Sequence, residues 1–420
     1  MALDFTKHPC FNPDVKGKFG RVHLPVAPKC NIQCGYCNRK FDCVNESRPG
    51  VTSNILSPGQ ALYYVNDLVE SGKPISVVGI AGPGDPFANP EETMETLRLI
   101  RKRHPEMLLC VSTNGLNIGP YIAELAELEV SHITITMNTI DPVIGADVYR
   151  WVRDGKKPLR GIEAAEFLLQ RQIQAMKAIK AHGITLKINT ILIPGVTDGQ
   201  SLDDVAAFAK SEGADLHNII PLCPVEGTRF EHYTEPTPAQ IHAARDIAGK
   251  YMPQMTHCQR CRADACGLLA EGTTQETFDR IQEAANAPVN PDEERPYVAL
   301  ASREGVLVNQ HLGEAVEVDI YGNIDGGFQL IETRKTPDSG GGDERWKVLA
   351  ASLHDCRALM VSGVGPKPTR VLRDSGIKVI VMEGLIEEAL TKIYAGEVIR
   401  APIRPTKCGE KCAGDGGGCG

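Results

Sequence analysis

The sequence from Lys29 to Phe41, KCNIQCGYCNRKF, decides the fold. It carries three cysteines on one short loop, spaced by three and then two residues: Cys30, Cys34 and Cys37. A closed structural metal site usually takes four protein ligands. Three thiolates can instead hold three irons of a four-iron cluster and leave the fourth iron open for a substrate. This cysteine loop therefore indicates an iron–sulfur site that performs chemistry, with the three cysteines as its catalytic metal ligands.

Thiolate ligands alone do not identify the metal, because iron–sulfur clusters, zinc and copper all accept them. Residues 21–28 are predicted to be a strand, which places the cysteines at the C-terminal end of a parallel sheet, where α/β enzymes bind ligands. A zinc site completed by Cys43 or Cys10 is the alternative. The spacing C-x3-C-x2-C, with Tyr36 before the last cysteine, resembles the radical S-adenosylmethionine (SAM) superfamily. In that superfamily the open iron chelates the amino and carboxylate groups of SAM.

Composition predicts a cytoplasmic protein with two domains. The chain has 420 residues, 42% of them hydrophobic, which suits a sizeable core. A net charge of −8 and no long run of like charges give no electrostatic reason to expect nucleic acid or a membrane as a partner. The start, MALDFTKHPC, lacks the apolar core of a signal peptide. In a cytosolic chain, fourteen cysteines are expected to be metal ligands or redox groups rather than disulfides.

Strand and helix patterns alternate along the first 250 residues. The predicted strands are residues 21–28, 75–80, 107–112, 132–138, 185–193 and 216–221. The predicted helices are residues 57–71, 90–103, 121–127, 161–182, 202–211 and 238–250. Six such units with short loops predict a partial (β/α)6 barrel, and a doubly wound open sheet is the alternative. The ends of the strands nominate Cys110, Thr136, Asn138, Asn189, Ile191 and Cys223 as site residues, although each is also an ordinary residue for a strand end.

A glycine–proline loop, Ala81 to Pro86, follows the strand at residues 75–80. Glycines let the backbone approach a ligand closely, and exposed backbone groups can hydrogen-bond the ammonium of an amino acid. By its position the loop resembles the SAM-binding segment of radical SAM proteins. The usual Gly-Gly-Glu-Pro of that segment is here Pro83-Gly84-Asp85-Pro86.

A second group of cysteines lies far along the chain, in HCQRCRADACG from His257 to Gly267. It contains Cys258, Cys261 and Cys266, which predict an auxiliary iron–sulfur cluster. Zinc is the alternative, because C-x2-C is also half of a zinc ribbon. Near the N-terminus, His8 and Cys10 in the sequence HPC, and after the cysteine loop Cys43 and Glu46, are either further metal ligands or surface and loop residues.

Domain boundaries follow changes in composition. Residues 1–290 are predicted to form the barrel with its auxiliary ligands, and residues 291–296 a polar linker. A new alternation predicts a small mixed α/β domain over residues 297–404. The tail, residues 405–420, has Cys408, Cys412 and Cys419 among glycines that cannot form a core. It either carries metal transiently or is a disordered end.

Together, the HPC sequence, the cysteine loop, the glycine–proline loop and the second cysteine group resemble the radical SAM family that assembles the nitrogenase cofactor. In the last domain, Asn309 to Gly313 (NQHLG) resembles the NifX-type family, which holds iron–sulfur cofactor precursors. The resemblance covers almost the whole chain. It implies a radical SAM enzyme that fuses two [4Fe–4S] clusters around a carbon from the methyl group of SAM and adds a sulfide. The product would be the eight-iron precursor of the nitrogenase cofactor.

The resemblance also implies cofactors, partners and site residues. One [4Fe–4S] cluster, on Cys30, Cys34 and Cys37, would bind SAM, and two more clusters would be auxiliary or substrate clusters. The implied SAM contacts are Tyr36, Gly82, Gly84, Asp85, Thr136 and Ile191. The candidate ligands of the other two clusters, whose division between them stays open, are His8, Cys10, Cys43, Glu46, Cys110, Cys258, Cys261 and Cys266. The implied partners are iron–sulfur cluster donors and cofactor-carrier proteins, and His311 would lie near a held cofactor.

Two other functions fit the same residues. A non-enzymatic scaffold or carrier would bind the clusters and pass them on without using SAM. A zinc-stabilised binding protein is a third possibility. Iron content and the colour of the purified protein distinguish these classes.

Overall fold

The computed structural model describes residues 3–43, 52, 54–258, 263–269, 274–287, 295–338, 342–397 and 399. The chain divides into two compact units, Met1–Ala287 and Pro288–Gly420. Some residues of the sequence predictions lie outside the described ranges: Glu46, Cys261, residues 291–294 of the linker, and the tail with Cys408, Cys412 and Cys419.

The described part of the first unit has the following elements. Its strands are β1 (Gly20–His23), β2 (Ile32–Cys34), β3 (Ile75–Ile80), β4 (Leu108–Thr113), β5 (Val130–Thr136), β6 (Tyr149–Asp154), β7 (Lys157–Leu159), β8 (Thr185–Leu192), β9 (Leu216–Pro221) and β10 (Cys266–Gly267). Its helices are α1 (Pro58–Glu70), α2 (Pro90–Arg103), α3 (Ile122–Glu127), α4 (Pro142–Val148), α5 (Gly161–Ala181), α6 (Gly199–Ser211), α7 (Pro238–Gly249) and α8 (Gln275–Asn286).

Six strands form one parallel sheet in the order β1-β3-β4-β5-β8-β9, and β10 pairs antiparallel with the outer edge of β1. Helices follow the parallel strands in sequence, so the predicted partial (β/α)6 barrel is confirmed as a curled half-barrel. The strands are buried on both faces, and every residue of β5 is buried. Alternate residues therefore face either the helices, where the main hydrophobic core lies, or the inside of the half-barrel.

Element boundaries agree with local sequence signals. Helix α1 begins with a capping box, in which the Ser57 hydroxyl and the Gln60 side chain each accept a backbone N–H of the other residue. The predicted first strand was too long: β1 ends at His23, because Pro25 and Pro28 have no N–H to continue the ladder. Among the described helices, none is long and apolar enough to cross a membrane.

A small antiparallel sheet in the order β2-β6-β7 was not predicted. Its strands are three to six residues long, and the pairing of β2 with β6 joins segments more than 100 residues apart. Local periodicity does not report such a pairing. Helices α4 and α8 were also missed.

The second unit is a mixed α/β fold. Its strands are β11 (Tyr297–Leu300), β12 (Leu307–Val308), β13 (Glu317–Ile324), β14 (Gly327–Lys335), β15 (Cys356–Val361), β16 (Lys378–Val381) and β17 (Gly384–Leu385). Its helices are α9 (Asp343–Ser352), α10 (Pro366–Asp374) and α11 (Ile386–Tyr394). One sheet has the order β14-β13-β11-β15-β16, in which β11, β15 and β16 are parallel, and β12 pairs with β17. A separate core fills each side of the larger sheet.

Candidate functional site

The cysteine loop is anchored by the small sheet. Strand β2 forms the middle of the loop and pairs with β6, and the Gly35 N–H donates to the Val148 carbonyl at 2.7 Å. Within the loop, the Cys37 N–H donates to the Cys34 carbonyl at 3.2 Å. Backbone hydrogen bonds therefore fix the turn that carries the cysteines.

The glycine–proline loop is fastened to the start of the cysteine loop. The Gly84 N–H donates to the Ala27 carbonyl at 2.6 Å, and the Asp85 N–H donates to the Lys29 carbonyl at 2.8 Å. A Cβ at Gly84 would collide with the Lys29 backbone, so only glycine allows this approach. Pro83, where the family has glycine, contributes its carbonyl, which accepts the Cys43 N–H at 3.0 Å. With proline at this position, the glycine–proline loop therefore still contacts the segment that follows the cysteine loop.

These loops line one cavity, the cysteine-loop cavity. The predicted site residues that line it are Cys30, Cys34, Tyr36, Cys37, Cys43, Gly84, Asp85 and Thr136. Two predicted SAM contacts, Gly82 and Ile191, are not among its lining residues. Three thiols beside a closely approaching glycine backbone fit a [4Fe–4S] cluster with an open iron.

Burial raises the pKa values of two thiols in this cavity. It raises the pKa of Cys30 to about 12, and the Asp85 carboxylate adds to the rise. Burial also raises the pKa of Cys37, against the opposing effect of the Arg39 guanidinium. Metals bind the thiolate, so assembly of a cluster here releases protons. Arg39 also donates to the carbonyls of Pro28 (2.6 Å) and Pro83 (3.3 Å), which ties the cysteine loop to both neighbouring segments.

Asp85 organises the cavity floor. Its carboxylate accepts the Thr113 hydroxyl (2.9 Å), the Asn114 N–H (2.7 Å) and the Phe87 N–H (2.9 Å). Burial raises the pKa of Asp85, and these hydrogen bonds oppose the rise. Because the Asp85 carboxylate accepts hydrogen bonds from its own loop and from residues at the end of β4, it fixes the shape of the glycine–proline loop and connects the loop to that strand.

An amide links the aromatic wall of the cavity to β8. Asn138 Nδ2 donates to the Tyr36 hydroxyl at 2.7 Å, and Asn138 Oδ1 accepts the Ile191 N–H at 2.9 Å. Burial raises the pKa of Tyr36 well above its usual range, so its hydroxyl stays protonated. The Ile191 side chain packs in the same apolar cluster as Tyr36. Ile191 therefore supports the wall of the cavity through Tyr36 and Asn138.

A second cavity, the arm cavity, lies on the inside of the half-barrel. Four predicted cluster ligands line it: His8, Cys10, Cys110 and Cys258. His23, Lys187 and Asn218 also line it. Ala81 and Ser112 line both cavities, so the two cavities adjoin.

Aromatic contacts hold the N-terminal arm, residues 3–12, against the arm cavity. The ring centroids of His8 and Phe11 lie 4.4 and 4.1 Å from that of His132 on β5. His257, next to Cys258, contacts the Pro9 carbonyl through Nε2 at 3.0 Å. These contacts bring two segments nearly 250 residues apart to the same place.

His8 has the properties of a metal ligand. It is 1% exposed, and its Nδ1 accepts the Cys10 N–H at 3.2 Å. Its Nε2 makes no hydrogen bond to any residue that the structure describes. Burial, helped by His132 and Lys187, lowers the pKa of His8 well below its usual value. The imidazole is therefore neutral, which is the form that binds metals.

The remaining predicted ligands lie elsewhere. Cys43 lines the cysteine-loop cavity, not the arm cavity with Cys110. The structure does not bring Cys266 to the arm cavity: it is 5% exposed on β10, and its thiol interacts with the Tyr64 hydroxyl in the main core. Within the described ranges, no three His, Cys, Asp or Glu side chains are arranged to hold a single metal ion.

The sequence predictions missed polar residues inside the half-barrel. Lys187 lies between Leu186 and Ile188 in β8, with its side chain on the opposite face of the strand. A charged residue in a strand buried on both faces was the signal that could have identified it as a site residue. Asn114 Nδ2 donates to Asn31 Oδ1 at 2.6 Å beside the cysteine loop. Asn114 follows β4 directly and was not among the predicted site residues.

Comparisons with known proteins agree with both units. Residues 24–209 match the model of the radical SAM superfamily, and residues 294–396 match the "Dinitrogenase iron-molybdenum cofactor" family. The "FeMo cofactor biosynthesis protein NifB" of Chlorobaculum tepidum is 52% identical, over 100% of each chain. The protein of the same name from Klebsiella pneumoniae is 39% identical, over 88% of this chain and 86% of that one.

A radical SAM methyltransferase from Sphaerobacter thermophilus, among solved structures, aligns with a TM-score of 0.41 and 19% identity. That alignment covers 56% of this chain and 63% of the other. The full-length identity to curated relatives, together with the two matched domains, decides the family. The chain belongs to the NifB family of FeMo cofactor biosynthesis proteins, within the radical SAM superfamily of enzymes.

Proposed function

We propose that this enzyme fuses two [4Fe–4S] clusters around a carbon taken from the methyl group of SAM, with an added sulfide, to form an eight-iron precursor of the cofactor. One observation carries the proposal: the cysteine-loop cavity and the arm cavity share Ala81 and Ser112 as lining residues. Methyl transfer by displacement needs the reacting atoms about 3–3.5 Å apart. Adjoining cavities allow a SAM in one to approach a substrate cluster in the other.

In the cysteine-loop cavity, Cys30, Cys34 and Cys37 hold the resident cluster. When bound, the cluster and SAM supply the electron, the methyl group and the 5′-deoxyadenosyl radical. The chain contributes positions. Gly84 has no side chain to strike the Lys29 backbone, so the glycine–proline loop packs directly against the cysteine loop at this cavity. Tyr36, held by Asn138, forms an apolar wall that excludes water.

The arm cavity is where substrate clusters bind. Cys10, Cys110 and Cys258 supply thiols, and His8 supplies a neutral imidazole. Iron in these clusters prefers soft thiolate ligands, so an imidazole ligand is released more readily during fusion. Asn218 Nδ2 lies 3.7 Å from the Cys258 sulfur and orients that thiol with a weak hydrogen bond. A cluster that used both Cys43 and Cys110 would bridge the two cavities.

The second unit holds the product before it passes to a carrier protein. In this proposal His311 is the contact residue. Its backbone lies against the segment that follows β15, where the Leu312 N–H donates to the Gly363 carbonyl at 2.9 Å, and its Nδ1 accepts the Gly313 N–H at 3.0 Å. These bonds fix the histidine beside the start of α10. Cluster donors and cofactor-carrier proteins are the proposed partners.

Isotope labelling tests the reaction. The anaerobically purified chain, loaded with about three four-iron clusters, would be given SAM with a deuterated methyl group. We expect S-adenosylhomocysteine from methyl transfer, and deuterium in 5′-deoxyadenosine from hydrogen abstraction at the transferred methyl. The control is the same chain carrying only the SAM-binding cluster, which should cleave SAM without moving deuterium.

Two outcomes would contradict the proposal. Deuterium absent from 5′-deoxyadenosine, with all clusters present, would exclude abstraction from the methyl group. Release of unchanged four-iron clusters without consumption of SAM would favour the carrier function.

A further inference from the structure

A pocket beside β9, the last strand in the order of the parallel sheet, adjoins the arm cavity. This edge pocket is lined by residues 219–221 of β9, by Pro238, Ile241, His242 and Arg245 of α7, and by Cys258. Two of these residues, Ile220 and Cys258, also line the arm cavity. His242 is exposed, so the edge pocket opens to solvent. None of the roles described so far uses it.

Other parts of the chain cover the arm cavity on its remaining sides. The N-terminal arm packs on the start of β5, where the ring centroids of Phe11 and His132 lie 4.1 Å apart. The cysteine loop lies at the opposite, C-terminal ends of the strands. Along the first half of β9, the Met255 N–H donates to the His217 carbonyl at 2.9 Å, which covers that part of the sheet edge. The edge pocket therefore gives the arm cavity a lateral connection to solvent.

Arg245 gives the edge pocket a positive charge. Its Nε is buried and makes no hydrogen bond to any residue that the structure describes. The described residues that line the pocket include no aspartate or glutamate. Buried polar groups in folded proteins are nearly always satisfied, so this guanidinium indicates an anionic ligand. The first turn of α7 lines the same pocket at Pro238, and the positive end of the helix dipole also favours negative charge there.

We propose that the edge pocket is the route by which an anionic, thiolate-ligated iron–sulfur cluster enters the arm cavity, with Arg245 attracting the cluster and Cys258 as its first protein ligand. The inference rests on the proposed function, because it requires a substrate cluster in the arm cavity. Opposite charge along a path raises the rate of association. The largest effect of Arg245 is therefore on how fast the arm cavity fills.

Transfer at Cys258 is a ligand exchange. The sulfur of Cys258, in the wall that the two spaces share, replaces one external thiolate on an iron of the incoming cluster. One iron–sulfur bond forms and one breaks, and the proton of the Cys258 thiol passes to the departing thiolate. The oxidation state of the cluster does not change.

The test follows the filling of the full chain with time. Cluster-free chain is mixed anaerobically with a synthetic [4Fe–4S] cluster that carries four 2-mercaptoethanol thiolates. Samples taken at intervals are reduced, frozen and measured by EPR with and without SAM. Signals that change on addition of SAM report the resident cluster, and signals that do not change report the arm cavity.

Two variants address the charge and the space of the edge pocket. Arg245→Met should slow the filling of the arm cavity about tenfold, because electrostatic steering changes association rates by at least that factor. Arg245→Lys keeps the charge and should fill at nearly the unaltered rate. Ile241→Trp narrows the pocket and should also slow the filling. The resident cluster should form at the unaltered rate in all three.

Matched controls remove a charge or add bulk elsewhere. Arg103→Met and Val143→Trp, at exposed positions on α2 and α4, should change neither rate. The inference is overturned if Arg245→Met or Ile241→Trp fills the arm cavity as fast as the unaltered chain, if either slows both clusters equally, or if Arg245→Lys is as slow as Arg245→Met. In each case the proposed function survives. If the unaltered chain acquires only the SAM-responsive cluster, the proposed function and this inference both fail.

Discussion

The two cavities of the first unit differ in how far apart their lining residues lie in the sequence. The cysteine-loop cavity takes its three predicted ligand thiols from eight consecutive residues, and the glycine–proline loop and the ends of β4 and β5 also line it. The arm cavity takes one ligand candidate or more from each of three distant segments: the N-terminal arm, β4 and the region of Cys258. Local spacing therefore defines the first cavity, whereas tertiary contacts such as that of His257 with Pro9 define the second.

This difference suggests a division of roles. In the proposed function the compact cysteine loop, whose shape backbone hydrogen bonds fix, holds the resident cluster. The arm cavity is assembled from segments that pack together through side chains, including the neutral His8. Ligands of mixed type from separate segments suit a substrate that must be bound, changed and released.

The largest effect is expected from the cysteine loop. Replacing Cys30, Cys34 and Cys37 together by alanine should remove one cluster and abolish SAM cleavage, because no resident cluster can then form. Iron analysis and assay of 5′-deoxyadenosine measure this. Cys223→Ala, at a cysteine that lines neither cavity, is the control. A triple variant that still cleaves SAM would contradict the assignment of the loop.

The second largest effect is expected at Ala81, which lines both cavities. Ala81→Leu adds bulk where the two cavities adjoin, and misplacement of reacting groups by about 1 Å can cost roughly a hundredfold in rate. We expect methyl transfer, measured as S-adenosylhomocysteine, to fall by about that factor, while the cluster content stays unchanged. Ala81→Ser is the size-matched control. Equal rates in the leucine and serine variants would show that the methyl group does not pass this wall.

A smaller effect is expected at Gly84. Alanine there would strike the Lys29 backbone, and overpacking of this kind costs about 1–3 kcal/mol. Gly119→Ala enters open space and should be nearly neutral. Urea unfolding can be followed through Trp151 in a Trp346→Phe background, so that only the first unit reports. An unchanged midpoint for Gly84→Ala would mean that the two loops are not packed as described.

Removal of the second unit should affect the chemistry least. Every described residue that lines the two cavities comes before Ala287, the end of the first compact unit. A chain ending there should produce 5′-deoxyadenosine at the rate of the full chain. A folded, cluster-loaded truncation without activity would show that the second unit takes part in the reaction.

The sequence predicted most of the half-barrel and much of the first cavity. Strands β3 and β9 and helix α2 have the predicted bounds, because buried strands and amphipathic helices produce strong local patterns. The β2-β6-β7 sheet was not visible, because its strands are short and paired across the chain. Lys187 was missed, although a charged residue within a buried strand was a local signal for it. Cys266 fitted the spacing of a ligand, but its place on β10 puts it in the core.

Deuterium transfer in two single variants tests the division of roles most directly. Cys30→Ala affects the cysteine-loop cavity and Cys10→Ala affects the arm cavity, and both would be given SAM with a deuterated methyl group. We predict no 5′-deoxyadenosine from Cys30→Ala, and unlabelled 5′-deoxyadenosine from Cys10→Ala, because its radical forms without a methylated substrate cluster. Labelled 5′-deoxyadenosine from Cys10→Ala, at the level of the unaltered chain, would contradict the account.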